Sequence, residues 1–255
     1  MNIPILMYHQ VDVPPPSGTP LRGLVVSPGS FARQMMLLRI MGYRGLSMRE
    51  LEPYLKGEKE GKVVGITFDD GYQDNLRNAL PVLSKHGFTA TCYAVSSMIG
   101  GTNCWDSGLV AQKPLMTASN WRTWLDAGMD VGSHTRTHAD LDTLNAEQAR
   151  EQIAGSKKEL EDTLACEVRH FCYPYGRFGA EHSRMAREAG YVTATTTRRG
   201  RAHTGADRML LPRVLVAQAP PPGPFALKLA TPSERPRART GPPESGASTK
   251  PMPIP

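Results

Sequence analysis

The amino-acid sequence predicts an α/β protein, a (β/α) barrel of about seven parallel strands with outer helices. Three observations carry this. Short apolar runs alternate with helical patterns from Pro4 to Val216, as parallel βαβ units require. The number of such units favours a closed barrel over an open sheet. Residues able to do chemistry stand directly after several of the runs, and parallel strands bring their carboxyl ends to one face.

The strand runs are, in order, "PILMY", "VVGITF", "TATCYAV", "MDVGS", "VRHFCYP", "YVTATTT" and "LLPRVLV". They are short and rich in β-branched or aromatic residues, and glycine or proline flanks most of them. The helical patterns between them are "SFARQMMLLRIMG", "DNLRNALPVLSKHG", "TASNWRTWLDAG", "NAEQAREQIAGSKKELEDTLA" and "AEHSRMAREAG". Several end in glycine, which suits the residue after a helix. Pro81 fits its helix only in a first turn or at a kink. The stretch Val13 to Gly23, "VPPPSGTPLRG", reads as a long loop able to border a site.

Composition supports one barrel, residues 1–218, followed by a proline-rich disordered tail, residues 219–255. The chain has 255 residues, 40% apolar and 21% charged, enough to bury a core. The tail holds 11 of the 22 prolines, and "FALKLA" is its single apolar island. It also holds five Lys/Arg against two Glu, half of the formal charge of +6. The barrel is therefore only mildly basic, which argues against nucleic acid as a partner. Cys92, Cys104, Cys166 and Cys172 form no CxxC pair and are too few for a disulfide scaffold. Cys92 and Cys172 lie in apolar runs and read as buried thiols. No stretch has the roughly 20 apolar residues of a membrane span. The N-terminus lacks the charged and apolar regions of a signal peptide, so the expected localisation is cytoplasmic.

Two motifs carry chemistry. In "GITFDDGYQDN", Asp69 and Asp70 end a buried strand, and Gly71 allows a sharp turn. Adjacent buried carboxylates repel each other unless a cation or hydrogen-bond donors lie nearby. The plain alternative is a polar strand end before a helix. In "DVGSHTRTHADL", His134 and His138 are four apart after another strand. A turn brings both imidazoles to one side, a spacing that suits two nitrogens on one divalent cation. Two surface histidines in a loop are the alternative. With "CYPYG", Cys172 to Gly176, these groups would converge at one barrel mouth. Two histidines and one carboxylate would leave positions open for water and substrate, with the second carboxylate free as a base.

"TFDDG", "SHTRTH" and "YPYG" resemble, in the right order, the first three motifs of polysaccharide deacetylases of carbohydrate esterase family 4. The resemblance runs from about Pro4 to Val216 and implies a distorted (β/α) barrel. It implies that Asp69 is the general base, that Asp70, His134 and His138 hold the metal, and that the Tyr175 amide helps bind the oxyanion. It further implies a divalent metal, zinc first with nickel, cobalt or iron as alternatives, and a glycan or N-acetylated saccharide as substrate. The expected activity is N-deacetylation of an N-acetylhexosamine-containing glycan or saccharide precursor. A non-sugar amide as substrate, or a non-catalytic carbohydrate-binding barrel, are the alternatives.

Three departures from the family stand out. Cys172 occupies the place of the third motif's arginine, and Arg213 in "LPRVLV" is the candidate substitute. The fourth motif's Asp-Trp pair is not evident between Ala202 and Leu211. The late Leu-x-His that carries the general acid is absent, since no histidine follows His203. His9, closing the first strand in "ILMYHQV", is the candidate acid. That arrangement resembles the circularly permuted subgroup that includes poly-N-acetylglucosamine deacetylases, in which the last barrel strand comes first. Trp121 and Trp124, at helical spacing, read as core, and Trp105 as a cleft wall. His86, His170, His182 and His203 read as ordinary surface or packing residues.

Overall fold

The computed structural model describes residues 1–217 and Phe225. Seven strands follow the seven apolar runs: β1 (Ile5–Tyr8), β2 (Val63–Phe68), β3 (Thr91–Ala94), β4 (Asp130–Ser133), β5 (His170–Cys172), β6 (Thr193–Arg199) and β7 (Leu211–Leu215). Each pairs in parallel with the next, and β7 pairs with β1, so the sheet closes in chain order. The closure is irregular, which makes the barrel a distorted one. β4 and β5 share one register pair, Ser133 with Phe171, and the register of β6 and β7 shifts between Thr195 and Arg199.

Alternation along the strands sorts the core into two clusters. Leu6 and Tyr8 of β1 belong to the larger one, with Phe31, Met35, Phe68, Trp121 and Trp124. Ile5 belongs to the smaller one, with Tyr93, Cys172 and Leu211. Trp121 and Trp124 are buried, as their spacing predicts, and so are the Cys92 and Cys172 thiols.

One helix escaped the sequence reading: Met48–Lys56, which contains Pro53. Ser47 caps it, and its Met48, Leu51 and Leu55 enter the smaller cluster. The Met48 amide donates to the Thr91 hydroxyl at 2.8 Å, and Arg49 reaches Asp130 at 3.2 Å. Thr91 and Asp130 open β3 and β4, so this helix covers the amino-terminal mouth and leaves the carboxyl mouth to the site. A short parallel strand, Arg44–Leu46, was missed as well, and it pairs with the start of β2.

Pro81 lies in the first turn of the helix Leu80–His86, directly after a wide π-turn at Asn75–Ala79. The turn absorbs the hydrogen bond that the proline cannot donate. Of the tail, Phe225 is buried within the larger core cluster, and the rest of residues 219–255 lies outside the described residues. Among the described residues no helix is long and apolar enough to cross a membrane.

Candidate active site

The carboxyl ends of β1, β2, β4 and β5 bring His9, Asp69, Asp70, His134, His138 and Tyr175 to one mouth, and Arg213 reaches it from inside β7. Asp69 continues β2, its amide bonded to the Tyr8 carbonyl at 3.0 Å. The chain then turns through two left-handed residues, Asp70 at φ 76° and Gly71 at φ 79°. A Cβ on Gly71 would lie 2.9 Å from the Trp121 ring, so glycine is needed for space as well as for conformation. This turn sends the two neighbouring carboxylates to different partners.

Asp69 faces Arg213. Nη1 donates to Oδ1 at 2.6 Å and Nη2 to Oδ2 at 2.7 Å, a two-armed pair. The guanidinium is fully buried and also donates to the Thr196 carbonyl at 2.9 Å and the Thr67 hydroxyl at 3.1 Å. Its Nη2 lies 3.1 Å from the Cys172 sulfur. A cysteine at that position leaves room for an arginine arriving from β7. Burial works against the Asp69 ion, but the Arg213 charge outweighs it and holds the carboxyl below its ordinary value. His9 Nε2 stands 3.9 Å from Asp69 Oδ2, with 15% of its side chain exposed.

Asp70 faces the histidines. Its Oδ1 lies 3.4 Å from His134 Nε2 and 3.3 Å from His138 Nε2. His134 Nδ1 is 2.8 Å from the Cys172 carbonyl, which accepts only if that nitrogen carries the proton. A neutral His134 ring therefore turns the Nε2 lone pair toward Asp70. Acceptors facing each other in a buried site repel unless a proton or a cation lies between them. Ligand-to-ligand distances of about 3.4 Å are the edges of a tetrahedron with bonds of about 2.1 Å, the spacing of zinc on nitrogen and oxygen. The residues fit a divalent cation. A second group of possible donors, Asp69, His134 and Cys172, fits less well, because Arg213 already occupies Asp69 and lies against the thiol.

Tyr175 sits in the turn after β5 at φ 58° and ψ −2°, a left-handed conformation costing about 1–3 kcal/mol for a non-glycine residue. Gly176 follows at φ 66°, where a Cβ would collide with Thr197 Oγ1 at 1.8 Å. The Tyr175 ring packs edge-on against His138, with centroids 4.6 Å apart. Trp105, in the short turn Cys104–Asp106, stacks on the same imidazole, with centroids 4.5 Å apart and planes 15° from parallel. A cleft opens beside His9 and Asp70, bordered by Val13, Pro15 and Leu21 of the proline-rich loop and by Leu24 just after it.

Sequence reasoning left two contributors unnamed. Thr67, which opens the "TFDDG" motif, bonds Arg213, and the Cys172 carbonyl orients His134. The first is a motif position with a visible hydroxyl, but a backbone carbonyl leaves no mark in a sequence. His170, read as an ordinary surface or packing residue, is fully buried at the opposite mouth, its Nδ1 2.9 Å from the Thr193 hydroxyl.

A parallel barrel whose carboxyl mouth joins a carboxylate–imidazole cluster to a guanidinium-held carboxylate has the parts of a hydrolytic centre. The chain belongs to the polysaccharide deacetylase family, whose model matches residues 56–194. It is 33% identical over 218 residues to YxkH of Bacillus subtilis (strain 168), a protein named for that family, covering 85% of this chain and 72% of YxkH. It is 26% identical over 230 residues to the poly-beta-1,6-N-acetyl-D-glucosamine N-deacetylase of Staphylococcus epidermidis, covering 83% of this chain and 78% of that one. Among solved structures, the Streptococcus pyogenes deacetylase PplD in complex with acetate matches with a TM-score of 0.75 at 27% identity. That match covers 85% of this chain and 93% of PplD.

Proposed function

We propose that the protein is a metal-dependent hydrolase that removes N-acetyl groups from an N-acetylhexosamine-containing glycan. The observation that carries this is the convergence of Asp70, His134 and His138 beside the Arg213-held Asp69. Similarity to a relative named as an N-deacetylase of poly-N-acetylglucosamine supports the substrate class.

Asp70, His134 and His138 would hold the cation, zinc by their mixed nitrogen and oxygen donors. When bound, that ion supplies Lewis acidity toward the acetyl carbonyl and its water. Asp69 does the base work. Held ionised by Arg213, it accepts a proton from the attacking water. The Tyr175 amide, carried on its left-handed turn, donates to the oxyanion. His9, beside Asp69 Oδ2, delivers a proton to the departing nitrogen, so an amine and acetate leave.

The test is metal analysis of the purified chain together with acetate release from β-1,6-linked and chitin-type N-acetylglucosamine oligomers and from a panel of small amides. Release from the oligomers with bound zinc is expected. Release from the small amides alone would move the substrate to a non-sugar amide, and a metal-free, inactive chain would reduce the barrel to a binding module.

A further inference from the structure

The two imidazoles that face Asp70 are held in different ways. His134 is fixed by a hydrogen bond from Nδ1 to the Cys172 carbonyl at 2.8 Å. His138 is buried, yet its Nδ1 has no hydrogen-bond partner among the described residues. It also sits in a left-handed backbone conformation, φ 59°, where no regular element restrains it. A ligating histidine ordinarily gives its second nitrogen to an oxygen that sets the ring's orientation. His138 has aromatic neighbours instead. The Trp105 indole lies parallel to its ring at 4.5 Å and 15°, and the Tyr175 ring meets it edge-on at 4.6 Å and 81°.

The turn that carries Trp105 is itself anchored. Asn103, fully buried, accepts from the Lys113 amide at 2.7 Å and donates to Asp106 at 3.3 Å. Its backbone amide bonds back to the Lys113 carbonyl at 3.3 Å. Trp105 is therefore presented from a braced loop, and the ring face toward His138 is committed to that contact. A stacked plane permits the imidazole to slide but not to tilt, and tilt is what would move Nε2 away from Asp70 Oδ1.

From this geometry we infer that Trp105 is a positioning residue for the metal centre: its stacked indole replaces the missing hydrogen bond to His138 and holds Nε2 in line with Asp70 and His134. The inference rests on the metal-dependent reading above and adds to it a residue outside the ligand set.

The experiment titrates zinc alone into the chelator-stripped full-length chain, in competition with a chromophoric chelator. Cobalt substitution gives a second readout in the visible spectrum. Trp105→Ala weakens zinc binding about 10–100-fold, the usual cost of losing an orienting partner. Trp105→Leu, which keeps bulk but has no ring, shows the same loss. Trp105→Phe stays within about threefold of the unaltered chain, because a smaller ring still stacks. The cobalt bands of the Ala and Leu variants shift, and the metal-free melting temperatures of all three match the unaltered chain. Wild-type zinc affinity in Trp105→Leu, with unchanged cobalt bands, would overturn the positioning role while leaving the metal centre intact. An unaltered chain that binds no zinc would overturn the metal reading itself, and this inference with it.

Discussion

Arg213 and Asp69, 144 positions apart, form a buried two-armed ion pair at 2.6 and 2.7 Å. The pair couples the last barrel strand to the end of the second, so the closed barrel also fixes the carboxylate proposed as the base. Arg213→Lys keeps the charge but loses the planar fork. Its kcat is expected to fall about 10²-fold, since Asp69 is left free to rotate away from the water. Arg213→Ala leaves a buried carboxylate unpaired and is expected to cost about 3–5 kcal/mol in urea unfolding. An Arg213→Lys variant with unchanged kcat would show that one charge, without the fork, suffices.

Asp70→Ala, His134→Ala and His138→Ala are each expected to strip metal and activity together, because the remaining two donors bind weakly. Metal analysis of the purified variants is the check. Full occupancy in His134→Ala would remove it from the ligand set.

The fold was legible where each residue's local preference agreed with its tertiary place. All seven strands follow short apolar runs, and Asp69, Asp70, His134 and His138 stand in compact motifs next to them. The helix Met48–Lys56 was hidden because Pro53 interrupts it and charged residues surround its buried face. Arg213 could be named as a candidate, but nothing local marks its pairing with Asp69. The role of a backbone carbonyl such as that of Cys172, and the approach of Trp105 to His138, depend on loop paths that no periodicity encodes.

The segment after β1 is tied down by the start of the helical turn that follows β2. Asp74 accepts from the Val11 amide at 2.8 Å, Asn75 donates to the His9 carbonyl at 2.9 Å, and Asn78 donates to the Val11 carbonyl at 2.7 Å. Burial pushes the Asp74 carboxyl up to about 7, with the Asp12 charge adding to it, and the Val11 amide, Lys113 and Arg77 offset only part. The folded state thus binds a proton that the unfolded chain releases near 3.8, so stability falls as pH rises from about 4 to about 7 and then levels. Asp74→Asn keeps the acceptor without the charge. It is expected to match the unaltered chain at pH 4 and to be about 4 kcal/mol more stable at pH 8. Equal stability at both pH values would show that Asp74 ionises freely in the folded protein.

Phe225 lies beyond the boundary that composition places at residue 218, yet it is buried with the larger core. Phe225→Ala is expected to cost about 3 kcal/mol, the usual result of emptying a core site. Truncation after residue 230 is expected to leave the melting temperature unchanged, given the proline-rich composition of residues 231–255. A wild-type melting temperature in Phe225→Ala would return the boundary to residue 218.

His9 is the group whose role a single rate cannot settle, because losing the acid and losing the base both leave a slow enzyme with its metal in place. His9 Nε2 stands 3.9 Å from Asp69 Oδ2, close enough for one site to use both. If His9 gives the proton to the leaving nitrogen, His9→Ala retains metal and loses about 10²–10⁴-fold in kcat on an N-acetyl substrate. Asp69→Asn also retains metal and falls by a similar factor, for a different reason: it cannot take the proton of the attacking water. An activated acetate ester separates the two, since its leaving group departs without a proton. His9→Ala is expected to recover most of its rate on the ester, whereas Asp69→Asn is not, because the water still has to be activated. Equal impairment of His9→Ala on ester and amide would make His9 a structural residue, and loss of metal in that variant would make it a ligand.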